Sequence, residues 1–330
     1  MIDLRGKHGV AILVGLALLC SGRTAEPTKP LDPAAWGGDH VGKPWPEFTS
    51  GDECLFCHRK DVGPAWPTNR HNLTLRKADA DAPALAALRK LPDLKGEAAK
   101  VQFLLGGTRR QRFLKPAESY GKLDLLSAAF VPAADGQKGK LIDVDRPHWD
   151  AKTFADRCAG CHATAVDAKT RSFAAISLDC LVCHGEIPEK HTKEPTTALL
   201  AKKRDDPARV VLSICASCHV RTGQSKASGR PYANHFVPGD NLFRDFQVDW
   251  SPEQIKALNP ADAHVLANVR DVVLLGKEDV TCLSCHSVHG ESRKKHHKIA
   301  ASDYCLHCHH ATGPKRIVKT YEVHSKTCGY

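Results

Sequence analysis

Hydrophobic positions are spread unevenly along the 330 residues. The longest apolar run, residues 9–20 (GVAILVGLALLC), follows a basic start at Arg5 and Lys7 and gives way to small and polar residues. It is short for a bilayer-spanning helix and has the build of an export signal, with cleavage expected near Ala25. Downstream, apolar residues recur at helical spacing over residues 84–91, just after Pro83, and over residues 261–275. Strand-like pieces are expected at residues 101–105 and 141–144. Ser50 with Glu53, and Ser302, have the positions of helix caps. The rest shows neither period clearly, so the expected fold is mainly α with long loops and little regular sheet.

Two segments follow: residues 1–25 as signal peptide and residues 26–330 as one domain. No other stretch resembles a membrane helix, so no stable membrane span is expected after cleavage. A retained anchor and a lipid on Cys20 are the alternatives. Leu19, just before Cys20, is larger than a bacterial lipobox accepts.

Composition changes this picture. Hydrophobic residues make up 42% and aromatics 6%, which leaves a thin apolar core for a chain this long. A large apolar cofactor would fill the deficit, and the cysteines say which. There are 14 Cys, 19 His and a single Met, the initiator. Twelve of the cysteines fall in six C-x-x-C-H motifs: Cys54, Cys57, His58; Cys158, Cys161, His162; Cys180, Cys183, His184; Cys215, Cys218, His219; Cys282, Cys285, His286; and Cys305, Cys308, His309.

This spacing is the c-type haem attachment signature. Two thiols three residues apart on a helical turn can form thioethers to the two vinyl groups of one haem. The His that follows then lies under the iron as its proximal ligand. Structural zinc uses C-x-x-C but does not demand His directly after the second Cys. A disulfide scaffold suits an exported chain, yet six close pairs look like cofactor sites. Thioredoxin-like motifs belong in βαβ patterns, which this chain does not display. The expected cofactor is therefore six covalently attached haems c. Cys20 leaves with the signal, and Cys328 has no C-x-x-C partner.

With Met1 as the only methionine, His–Met ligation is excluded, and low-potential His–His haems are expected. Six proximal histidines and His8 in the signal leave twelve for at most six distal positions. The candidates favoured by context are His71, after a Pro-Ala-Trp-Pro turn region, and His191, seven residues beyond His184. His235, downstream of the fourth motif, and His289, three residues beyond His286, complete the four. His264, on the helix expected over 261–275, is equally a core or surface residue. His296 and His297 sit in a basic run, His307 and His310 flank His309, and His40, His148 and His324 stay open. No catalytic residue is singled out.

The second and third motifs, and the last two, are spaced too closely to form separate domains, so each such pair is expected to hold two haems close together. The formal charge of +10 falls to about +8 without residues 1–25. Each ferric haem c adds about −1, giving about +2 oxidised and about −4 with six ferrous haems. The basic composition is thus no sign of nucleic-acid binding. Arg109, Arg110 and Arg112 are candidates to face haem propionates.

The order and sequence of the motifs resemble those of the multihaem c-type cytochromes related to the tetrahaem carriers of ammonia oxidisers, the octahaem hydroxylamine oxidoreductases and the pentahaem nitrite-reductase donors. The residues that carry the likeness are Cys158-Ala-Gly-Cys-His-Ala-Thr, Cys180-Leu-Val-Cys-His-Gly-Glu with His191 after it, and Cys215-Ala-Ser-Cys-His-Val-Arg. Phe236-Val-Pro-Gly-Asp-Asn-Leu and Cys282-Leu-Ser-Cys-His-Ser-Val-His-Gly complete them. The resemblance implies a mostly helical, haem-cored multihaem cytochrome c fold with stacked and perpendicular haem pairs forming a wire. It also implies that a His after the third motif ligates a different haem, which favours His191. Six motifs match neither the tetrahaem carriers nor the octahaem enzymes, and Glu186 stands where the family more often has Pro. No Lys replaces a motif His, so the lysine-ligated catalytic haem of nitrite reductases is absent. The function expected is periplasmic electron transfer to and from redox partner proteins. The alternative is an oxidoreductase acting on a small nitrogen or sulfur compound at a five-coordinate haem.

Overall fold

The computed structural model describes residues 51–290, apart from 108, 135, 168, 186, 195–206, 234–235 and 276–279. The export signal, Ser50, His235, the sixth motif (Cys305, Cys308, His309), Ser302 and Cys328 lie outside the described residues.

The first motif occupies α1 (Gly51–His58), whose opening turn carries Asp52 and Glu53 where the helix dipole favours negative charge. After β1 (Leu75–Lys77), Pro83 starts α2 (Pro83–Arg89) at the position where its missing N–H costs nothing. α2 buries Ala84, Leu85 and Leu88 on one face, as expected of residues 84–91. A short α3 (Lys95–Ala98) leads into β2 (Phe103–Gly106), β3 (Gln111–Pro116), β4 (Leu123–Val131), β5 (Lys140–Ile142) and β6 (Trp149–Asp150). These form one antiparallel sheet in the order β1-β2-β3-β4-β5, with β6 also paired to β4. The two strands expected from the sequence correspond to β2 and β5.

This sheet overturns the expectation of a mainly α chain with little regular sheet. The strands hid because both sheet faces are covered, so neither face is polar. On β4 (LDLLSAAFV), Leu126, Ala128 and Phe130 pack towards α2 and α3, while Leu123 and Leu125 pack on the opposite face. β3 divides in the same way, with Phe113 on one face and Leu114 on the other. A strand buried on both faces loses the polar–apolar alternation that sequence reading relies on, and Ala, Asp and Ser are weak strand formers.

The far face of the sheet reaches the second motif. Phe154 on α4 (Thr153–Arg157) and Ala159 at the start of α5 (Ala159–His162) pack against Leu114 and Leu125, together with Val166 and Phe173. A short hairpin, β7 (Ala163–Thr164) with β8 (Ala175–Ile176), then returns the chain to α6 (Leu181–His184), which carries the third motif. The fourth motif closes α7 (Pro207–His219). β9 (Gln224–Ser225) pairs with β10 (Phe246–Gln247), and α8 (Pro252–Ala257) precedes α9 (Pro260–Asn268). The helix expected over residues 261–275 is α9 continued by a π-helical turn, Val269–Leu274. Leu212, Ala216 and Val220 pack against Phe243, Phe246, Leu266 and Leu274, which makes a second core behind the fourth motif. The fifth motif begins α10 (Cys282–Cys285). Among the described residues, no helix is long and apolar enough to cross a membrane.

Candidate functional site

Each described motif lies on a helical turn. In the second, Cys161 N donates to Cys158 O at 3.1 Å; in the third, His184 N donates to Cys180 O at 2.9 Å. In the fifth, Thr281 and Ser284 form a reciprocal cap and His286 N donates to Cys282 O at 2.9 Å. Residues three apart on a helical turn lie on one side of it, the arrangement that two thioethers to one haem would require. Gly185 ends α6 at φ 64°, ψ −152°, backbone that only glycine adopts without strain.

The motifs come together although they are far apart in sequence. Gly51 N donates to Asp179 Oδ2 at 3.0 Å, joining the first and third, whose Cys54 and Cys180 thiols act on one another electrostatically. Cys161 and Cys218 join the second and fourth, with Cys218 Sγ 3.8 Å from Gly160 O. Cys215 and Cys282 join the fourth and fifth. The second and third, expected as neighbours, share a small apolar cleft of about 60 Å³, to which the fourth contributes Ser217. It is lined by Gly160 and Ala163, by Leu181 and Val182, and by Tyr232, Phe236 and Val237.

Tyr232 is held by its hydroxyl, which donates to Ala155 O, while neighbouring Arg230 pairs with Asp156 at 2.9 Å. A Cβ on Gly160 would sit 2.2 Å from the Tyr232 ring, so the glycine inside the second motif is what lets this ring close over the turn. Burial raises the Cys54 and Cys158 thiols, and burial beside the Asp179 carboxylate pushes Cys180 up to about 12. In the fourth and fifth motifs the direction is reversed for Cys218, lowered by Cys161, and Cys282, lowered by Cys215. The thiols of Cys54, Cys57, Cys158, Cys161, Cys180, Cys183, Cys215, Cys218 and Cys282 are all free of disulfides.

The imidazoles show a further order. The rings of His71 and His219 have centroids 6.2 Å apart with planes at 81°. Those of His184 and His289 are 5.9 Å apart at 15°. Two imidazoles on opposite sides of one metal, with bonds of about 2.0–2.1 Å and ring nitrogens about 1.1 Å from their centroids, have centroids roughly 6 Å apart. His162 is depressed to about 4 by burial, which keeps it in the neutral, ligating form, and its Nδ1 is buried with no hydrogen-bond partner. His58 Nδ1 faces Asp61 Oδ2 at 2.9 Å, so a metal bound by this ring would take Nε2. Paired thiols on one helical turn with an imidazole directly after them fit haem c. Among the described residues, no group of three or more His, Cys, Asp and Glu side chains is placed to hold a bare metal ion.

Of the sequence-named distal candidates, His71 and His289 are thus brought against motif histidines. His191 lies in a 3-10 turn, Glu189–Thr192, with its Nδ1 3.1 Å from Pro188 O, and no ring contact joins it to another described histidine. Arg109 donates to Asn259 Oδ1 at 3.1 Å, tying the β2–β3 connection to the cap of α9, and the Arg112 charge acts on Cys158.

Sequence reading missed Asn69, Asp61 and Tyr232. Asn69 is fully buried: its Nδ2 donates to Val288 O at 2.8 Å and Gly290 O at 2.9 Å, and its Oδ1 accepts from His71 N at 2.9 Å. Asp61, three residues after His58, was within reach of a motif-centred reading; nothing local marks the other two.

No protein-family model matches the chain, and no curated protein matches it. Among solved structures, the undecaheme cytochrome from the S-layer of Carboxydothermus ferrireducens is 17% identical, with a TM-score of 0.44 over 83% of this chain and 44% of that one. The chain therefore spans less than half the length of that protein.

Proposed function

We propose that this chain is a multihaem c-type cytochrome that carries six covalently attached haems and transfers electrons. The observation that carries the reading is the gathering of five described C-x-x-C-H turns, far apart in sequence, into one connected cluster. The two cysteines of each motif would hold one haem through thioethers, and the motif histidine would bind its iron. A bound haem supplies a one-electron couple. The chain's part is to hold these couples close together, exclude water and set their potentials.

His71, His191, His235 and His289 are the proposed distal ligands. The spacing of the two imidazole pairs supports His71 opposite His219 and His289 opposite His184. His191 rests on its position after the third motif alone. His–His ligation without Met favours low potentials. The basic start and the short apolar run support export to the periplasm, where redox partner proteins would exchange electrons with the chain.

The test is stoichiometry and spin state. Haem should stay with the denatured polypeptide in gel electrophoresis, and pyridine haemochrome quantitation should give about six per chain. Electron paramagnetic resonance of the oxidised protein should be dominated by low-spin signals. A clearly lower stoichiometry with full maturation machinery sinks the six-haem claim. A strong high-spin signal in the wild type favours an open iron and hence the oxidoreductase alternative.

A further inference from the structure

We propose that Asn69 is a single positioning residue for two distal ligands, setting His71 and His289 against their respective partners. The inference rests on the haem reading above. It is carried by the hydrogen bonds of one fully buried side chain. Oδ1 takes the backbone N–H of His71 at 2.9 Å. Nδ2 spends both hydrogens on the carbonyls either side of His289, Val288 O at 2.8 Å and Gly290 O at 2.9 Å.

The amide has one orientation that suits these neighbours, because an N–H must meet Oδ1 and two carbonyls must meet Nδ2. Asn69 is itself pinned, its N–H donating to Trp66 O at 3.0 Å and its carbonyl accepting from Leu73 N at 3.0 Å. His71 O in turn accepts from Leu178 N at 3.2 Å, just ahead of the third motif. The two loops meet through this amide, and each carries one imidazole to a different motif: His71 to His219, His289 to His184. A buried, fully satisfied polar group specifies one arrangement of the segments it joins. Distal ligands need that help, since no covalent bond fixes them to the haem.

The two halves of the amide can be separated by substitution. Asn69→Asp keeps an acceptor for His71 N–H but turns a carboxylate oxygen towards the Val288 and Gly290 carbonyls. The holoprotein should then release His289 alone, with haem content unchanged and one additional high-spin haem per chain. Asn69→Ala removes both functions and should give two. Added imidazole should return both variants to low spin, which a loss of general stability would not allow. If Asn69→Ala fails to accumulate, the nearly isosteric Asn69→Asp decides alone. A low-spin spectrum identical to wild type in a fully haem-loaded Asn69→Asp protein overturns the clamp and leaves the haem reading standing. Wild-type chain that keeps no haem on denaturation overturns the haem reading, and the clamp with it.

Discussion

The imidazole of His71, on the loop after the first motif, lies 6.2 Å from that of His219, at the end of the fourth. An iron held between them would tie the start of the described chain to the helix α7. His71→Ala should therefore keep all covalent haems, since the thioethers remain, while one iron turns high-spin and its potential rises with the loss of a donor. Electron paramagnetic resonance and a redox titration measure both. His191→Ala and His235→Ala are expected to behave likewise, and a variant with the wild-type spectrum removes its residue from the ligand set.

Asp61 accepts from the Nδ1 side of His58, a contact exposed to solvent. A carboxylate there makes the imidazole a stronger donor and so favours the ferric state. Asp61→Asn should raise the potential of the first haem and leave its spin state unchanged. A potentiometric titration in which no component shifts would remove Asp61 from this role.

Gly160→Ala would drive a methyl group into the Tyr232 ring, 2.2 Å away. Overpacking of this kind costs about 1–3 kcal/mol, so the variant should melt at lower temperature. Tyr232→Phe loses only the hydroxyl that donates to Ala155 O and should cost about 1 kcal/mol. Thermal unfolding of both variants beside wild type separates the two effects.

Glu97 sits below its ordinary value of 4.5 because Lys100 and the Trp149 indole N–H both hydrogen-bond its carboxylate. Lys115, with its ammonium 5.0 Å from the Trp149 ring, adds to the effect. A depressed folded value means stabilisation that is fully present above about 4.5 and lost as pH falls through the folded value. Glu97→Gln should lower stability at pH 7 by about 1 kcal/mol, and urea titrations near pH 3 should show the difference closing. An equal gap at both pH values would show that the charge on Glu97 is not the cause.

What the sequence determined by itself was the local chemistry. Two thiols and an imidazole within one helical turn are set by spacing along the chain, so Cys158, Cys161 and His162 could be read as a unit before any fold was known. Pro83 and the spacing of Ala84, Leu85 and Leu88 marked α2 for the same reason, because start signal and buried stripe lie within two turns. Tertiary structure alone decided the rest. β4 became a strand because α2 covers one of its faces and the second-motif turn the other, a burial that erased the alternation its sequence would otherwise show. His71 met His219, and Asn69 met the backbone beside His289, through contacts between segments far apart in the chain. Such contacts follow from how the sheet, α7 and the loops pack. No periodicity records them, because each side chain is selected by a neighbour that only folding brings near.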